Sequence, residues 1–262
     1  MLGAKMIKFE NVCLKYPKFE FKDMSFEIES GKIVAITGNN ASGKTTLLNL
    51  AGGILKPRKG KVLVFGEKPV CGKKIGMVFS SPDNQIIFST VYDDISFTLK
   101  NHKIPKNEWD NRISEALSLV HLDGYEKRET SELSAGQKQR LVIANMLATK
   151  PQILLLDEVS NYLDQAAKTE LFKLFGELKK TGITLVFATN VLDEIVYADK
   201  VMVLENGKIQ AFENTEKLIQ NLDIFKKINM QIPLKLELLN LLKTSKLKFD
   251  EEIIDEVKRR IK

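Results

Sequence analysis

The chain has 262 residues, 44% of them hydrophobic, two cysteines and a formal net charge of +6, so it is long enough for one large domain with a small addition and apolar enough for a real core. No run of about 18 apolar residues occurs, which excludes a membrane span, and the start Met1-Leu2-Gly3-Ala4-Lys5-Met6 lacks the apolar stretch of a secretory signal. The lysines are interspersed with acidic residues, which predicts a solvated surface and no nucleic-acid partner, and Cys13 and Cys71 match no metal or redox spacing, as expected in a reducing cytosol.

Met6-Ile7-Lys8-Phe9-Glu10 and Met24-Ser25-Phe26-Glu27-Ile28 alternate with the period of half-buried strands, and Ser30-Gly31-Lys32 is a turn. Ile33-Val34-Ala35-Ile36 is a short apolar run of the buried-strand kind, followed by a glycine-rich loop and a helix opening at Thr45-Thr46-Leu47-Leu48. Residues 61–65 and 74–79 read as strands. From about 89 to 149 the pattern turns helical, with Ile113, Leu117 and Val120 on one face. Strand-like runs return at Ile153-Leu154-Leu155-Leu156, at Ile183-Thr184-Leu185-Val186-Phe187 and over 200–204, the last ending at the turn Glu205-Asn206-Gly207-Lys208. The predicted fold is α/β, a mixed sheet with parallel βα units and a helical insertion. Leu234, Leu238, Leu241 and Leu242 share a helical face, as do Ile253, Val257 and Ile261, with Pro233 and Lys246-Leu247-Lys248 as punctuation. Residues 215–262 therefore read as a small helical extension of a domain spanning 1–214.

Gly38-Asn39-Asn40-Ala41-Ser42-Gly43-Lys44-Thr45, followed by Thr46, fits the phosphate-loop pattern G-x-x-x-x-G-K-[ST] without a mismatch, between a strand and a helix. The glycines let the backbone curl so that successive N–H groups face phosphate oxygens, and the helix adds its positive end. Lys44 is expected to reach the β- and γ-phosphates of ATP, and the Thr45 hydroxyl to ligate Mg²⁺. Asp157-Glu158 ends a buried strand, where unpaired charge is costly. Beside a phosphate loop the pair predicts Asp157 on Mg²⁺ and Glu158 as general base toward the attacking water. In Glu132-Leu133-Ser134-Ala135-Gly136-Gln137, Ser134 caps a helix running to about Thr149. A small-residue cap is also an anion site. It does not obviously share one nucleotide with the loop of its own chain, so a second copy or a partner would complete each site.

Leu133-Ser134-Ala135-Gly136-Gln137 resembles the signature LSGGQ of ABC ATPases, with Ala135 for a glycine. Tyr16 matches the family's adenine-stacking aromatic, and Leu163-Asp164 the end of its D-loop. The resemblance covers about 6–214. It implies a P-loop ABC cassette with a RecA-like mixed sheet, an antiparallel β subdomain and a helical subdomain. It also implies a head-to-tail dimer that sandwiches two ATP molecules, Ser134, Ala135, Gly136 and Gln137 serving the opposite site. Gly76-Met77-Val78-Phe79-Ser80-Ser81-Pro82-Asp83-Asn84-Gln85 resembles GMVFQNPDNQ of energy-coupling-factor transporter ATPases, and Val91-Tyr92-Asp93-Asp94-Ile95-Ser96-Phe97 their V-x-D-D-V-A-F. The helical tail with Ile232-Pro233 is similar too. That family implies a peripheral subunit on the cytoplasmic face of the membrane. It pairs with a second ATPase and drives a transmembrane coupling subunit with a substrate-binding membrane protein, to import a vitamin or metal ion. The tail helps hold the ATPase pair together.

The chain departs from that family at three places. Ser80 stands where a glutamine senses Mg²⁺ and water. Asn190, in Ala188-Thr189-Asn190, stands where a histidine contacts the γ-phosphate. Val159-Ser160-Asn161-Tyr162-Leu163-Asp164 replaces P-T-S-x-L-D. The expectation, favoured over a homodimer that tolerates both substitutions, is an asymmetric heterodimer in which this chain's own site binds ATP, hydrolyses it slowly, and lends its signature to a more competent partner. A soluble DNA-maintenance ATPase would carry a long coiled coil between Thr46 and Leu133, where no sustained heptads occur. A translation-associated protein would have two cassettes. A regulatory, non-hydrolysing nucleotide binder is the remaining alternative.

Overall fold

A computed structural model of the chain describes residues 5–16, 19–70, 72 and 74–244. Cys71, Lys246-Leu247-Lys248, Ile253, Val257 and Ile261 lie outside the described residues, as does the side chain of Leu242. Strands β1 (Lys5–Lys15), β2 (Glu20–Glu29) and β3 (Ile33–Thr37) lead to α1 (Lys44–Ala51), β4 (Lys59–Val64) and β5 (Ile75–Val78). Helices α2 (Val91–Asn101), α3 (Trp109–Leu119) and α4 (Ala135–Leu147) follow. The chain then runs through β6 (Ile153–Asp157), α5 (Gln165–Lys180), β7 (Thr184–Thr189), β8 (Lys200–Glu205) and β9 (Lys208–Asn214). Three short helices come next, α6 (Thr215–Ile219), α7 (Asp223–Lys227) and α8 (Leu234–Thr244).

An antiparallel sheet has the order β2-β1-β4, and a central sheet the order β5-β6-β7-β3-β8-β9. In the central sheet only β9 runs antiparallel to its neighbour. The polar strand β9 is not visible as an apolar run in the sequence. It forms because Asn206 and Gly207 both take positive φ (48° and 77°), a backbone suited to a two-residue hairpin.

The apolar runs are continuous because both faces of the sheet are covered. Alternate residues separate cleanly. Val34, Ile36, Ile153, Leu155, Val186 and Met202 pack toward α1 and the antiparallel sheet. Ile33, Ala35, Leu154, Leu156, Leu185 and Val201 pack toward the helices. Within the helical layer, the buried Asp94 accepts from the Ile87 and Phe88 amides (2.8 and 3.1 Å) and from Asn145 Nδ2 of α4 (2.6 Å). This carboxylate joins α2, α4 and the 86–90 segment.

The tail packs on the same helical-side core, through Phe225, Ile228, Met230, Leu236 and Leu239. Leu234, Leu238 and Leu241 do share a face of α8, and it is the outward one. Leu236 and Leu239 point inward, whereas Leu234 (79% exposed), Leu238 and Leu241 (60%) face outward. Both faces of this helix are apolar, so periodicity alone does not say which one is buried.

Candidate functional site

Parallel register brings the ends of β3, β6 and β7 to one edge. Asp157 lies opposite Ala188, and Thr37 opposite Thr189. The loops leaving these strands therefore share a crevice at the carboxyl edge of the sheet, where α/β proteins bind ligands.

The loop after β3 is sterically determined. Gly38 has φ +151°, and a Cβ there would lie 2.0 Å from the Leu204 carbonyl oxygen. Gly43 has φ +109°, and its Cβ would fall 2.8 Å from the Phe21 ring. Ser42 N donates to Asn39 O (3.2 Å). The Lys44 ammonium, buried at the start of α1, donates to the carbonyls of Gly38 (2.9 Å) and Asn39 (3.2 Å). It thus bridges the mouth of the loop. The Ser42 hydroxyl is buried with no partner, and the first N–H groups of α1 are open by helix geometry. A curled backbone, a helix start, a cation and a spare hydroxyl suit a polyphosphate.

Thr45 Oγ1 donates to Asp157 Oδ2 (2.8 Å), while Asp157 Oδ1 is buried without a partner. A hydroxyl and a spare carboxylate oxygen are the hard donors Mg²⁺ takes alongside phosphate oxygens and water. Glu158 Oε1 lies 3.6 Å from Lys44 Nζ. Burial pushes Lys44 below the ordinary lysine range, opposed by Glu158 and Asp157. Burial likewise raises the Asp157 carboxyl, opposed mainly by the Thr45 hydrogen bond. The nucleotide-free chain therefore carries the cost of a buried carboxylate. Asp157→Asn is expected to raise the melting temperature of the nucleotide-free chain by about 2–4 °C while weakening its response to Mg²⁺. A calorimetric scan with and without Mg²⁺ and nucleotide reads both effects.

The remaining expected residues surround this core unequally. Asn190 follows β7, and its Nδ2 donates to Asn40 Oδ1 (3.2 Å), so it reaches the outer turn of the loop. Ser80 follows β5 at the same sheet edge, but its side chain is shorter than a glutamine amide. Gln85 does not substitute, because both ends of its amide engage the Phe79 and Ser81 backbone. Tyr16 stacks on Phe19 (centroids 5.4 Å apart), Phe19 packs at a tilt against Phe21 (5.1 Å), and both phenylalanines border Gly43. This aromatic ladder links Tyr16 to the loop. No spacing rule marks Phe19 in the sequence. Asn161 Nδ2 donates to Glu158 Oε2 (2.8 Å), and Glu158 has a left-handed φ of 50°.

Ser134 caps α4, accepting from Gln137 N (3.3 Å) while Gln137 Oε1 accepts from Ser134 N (2.9 Å). A Cβ on Gly136 would sit 3.1 Å from Ala167 Cβ of α5. Ala135 opens the helix. This cap lies in the helical layer, on different elements from the loop. Lys138 of α4 pairs with Asp83 (2.7 Å), tying the cap's helix to the segment after Ser80. His102 and His121 take no part. His102 bonds its own helix at Thr98 O, and His121 lies 3.0 Å from Glu177 on the surface.

The ABC transporter family model matches residues 21–161. The energy-coupling factor transporter ATP-binding protein EcfA1 of Listeria monocytogenes is 34% identical over 90% of this chain and 88% of its own length. The chain belongs to the ABC transporter family. EcfA1 of Mycoplasma mobile is 37% identical over 96% of this chain and 95% of its own. Among solved structures, cbiO1 from Clostridium perfringens, described as part of the ABC transporter complex cbiONQ, superposes with a TM-score of 0.77 at 32% identity. It covers 90% of this chain and 98% of its own. The cassette MJ0796, solved as a dimer bound to ADP and Pi, has a TM-score of 0.70 at 27% identity, over 80% and 99% of the two chains. The mixed central sheet, antiparallel sheet and helical layer are those of an ABC cassette.

Proposed function

We propose that the chain is the ATP-binding and ATP-hydrolysing subunit of an energy-coupling-factor importer, pairing with a second ATPase and driving a transmembrane coupling subunit. The observation that carries this is the convergence of Lys44, Thr45, Asp157 and Glu158 at the ends of β3 and β6, in a chain related over most of its length to EcfA1 proteins. In this reading residues 1–214 form the cassette, with 89–149 as its helical subdomain, and 215–262 extend it. Residues 38–46 cradle the phosphates, Tyr16 stacks on adenine, and Thr45 and Asp157 hold Mg²⁺. Held by Thr45 and Asp157, Mg²⁺ would supply positive charge to offset that of the phosphates. Glu158 accepts a proton from the attacking water, and Lys44 stabilises charge on the phosphoryl oxygens. Ser134, Ala135, Gly136 and Gln137 complete the partner's site.

No helix among the described residues is long and apolar enough to cross a membrane, which suits a peripheral subunit on the cytoplasmic face. The exposed Phe79, Ile87 and Phe88 offer an apolar seat for the coupling subunit, and the Lys138–Asp83 pair ties that seat to the helix carrying the signature. The outward Leu234, Leu238 and Leu241 suit a role for the tail in holding the pair. The transported solute, a vitamin or metal ion, is selected by another subunit.

The pair is proposed to be heteromeric, because two γ-phosphate contacts are altered in this chain. Ser80 falls short, and Asn190 has no titratable proton. Restoring both, Ser80→Gln with Asn190→His, is expected to raise single-turnover hydrolysis at this site by about 10²-fold, the scale of one transition-state donor. A rate unchanged in the double variant would remove the basis for a weakened site.

A further inference from the structure

The phosphate loop touches the C-terminal segment. Asn39 Nδ2 donates to the main-chain carbonyl of Ile228 at 2.6 Å, across 189 positions of sequence. Asn39 lies at the bend of the loop. Its own carbonyl accepts from Ser42 N and from the Lys44 ammonium, the two bonds that fix the curl. On the far side, Ile228 is firmly seated. It is 2% exposed, it ends α7, and Phe225 beside it is fully buried, with Met230 N donating back to Phe225 O (2.9 Å). A side chain at the bend of the phosphate loop is thus anchored to the carbonyl of a buried residue of the tail.

We infer that Asn39 is a positioning residue that couples the tail to the nucleotide site. By holding the bend against Ile228, it keeps the loop in its phosphate-receiving curl. Nucleotide and a docked 222–230 segment then stabilise each other. Such coupling is reciprocal, since whatever the tail does for nucleotide affinity, nucleotide does for the tail. A partner that grips the outward face of α8 would raise nucleotide affinity through the same bond. The inference rests on residues 38–46 being the nucleotide site.

Asn39 is exposed and is not among the residues with positive φ, so alanine fits the backbone. The test titrates MgADP, which fills the loop without turnover, into the full-length chain and its Asn39→Ala variant. Amide hydrogen exchange over 222–230 is followed in both. The native chain is expected to bind MgADP and to gain exchange protection over 222–230. Asn39→Ala is expected to bind about three- to tenfold more weakly, the worth of one net hydrogen bond, and to lose the nucleotide-dependent protection of the tail. An affinity within twofold of native, or a tail whose exchange ignores nucleotide in the native chain, overturns the coupling alone. A native chain that binds no MgADP overturns the site assignment and the coupling with it.

Discussion

Lys44→Ala is expected to lower MgATP affinity by about 30-fold or more while leaving the fold intact. The ammonium is buried, donates to the Gly38 and Asn39 carbonyls and faces Glu158. A phosphate in the loop would therefore meet a desolvated cation already in place. Removing one member of such a buried charge pair costs about 2–5 kcal/mol of binding. Stability moves much less, because the free chain is relieved of a cation that burial already disfavours. Equilibrium titration beside a thermal scan separates the two effects. An affinity loss matched by a large fall in melting temperature would mean that Lys44 acts on folding instead.

Gly38→Ala has the opposite signature. The added Cβ would sit 2.0 Å from the backbone oxygen of Leu204, at a φ of +151° that L residues rarely adopt. Neither the carbonyl nor its strand yields easily, since Leu204 is fully buried and β8 pairs with both β3 and β9. The expected cost is at least about 3 kcal/mol of stability, the range of severe backbone and packing conflicts. Denaturant unfolding of the nucleotide-free chain measures it. A variant as stable as the native chain would show that the loop can move off β8.

These two residues also show what the sequence carries and what it does not. Gly38, Lys44 and Thr45 are legible because loop, strand and helix are local and the chemistry demands that spacing. Asp157 and Glu158 stand out because charge at the end of an apolar run calls for a reason. Long-range contacts leave no such trace. Nothing in the sequence says that Asn39 bonds Ile228, that Asn190 reaches Asn40, or that Asn161 holds one oxygen of Glu158. Asp94 reads as one half of a family motif, yet its observed part is architectural, closing three hydrogen bonds inside the helical layer. The leucines of α8 reveal a helix without revealing its buried side. Strand β9 is polar enough to pass for a loop until its hairpin is seen.

The altered residues flank β6, the strand that ends at Asp157. Ser80 and Asn190 leave the ends of β5 and β7, while the loop, Lys44, Thr45, Asp157 and Glu158 are complete. That contrast between a finished cradle and altered flanking residues underlies the proposal of a site that holds ATP and turns it over slowly. Steady-state ATP hydrolysis by the purified chain alone, at saturating MgATP and with Glu158→Gln as the baseline, tests this most directly. The account predicts turnover close to that baseline. Robust turnover that Glu158→Gln abolishes would contradict it.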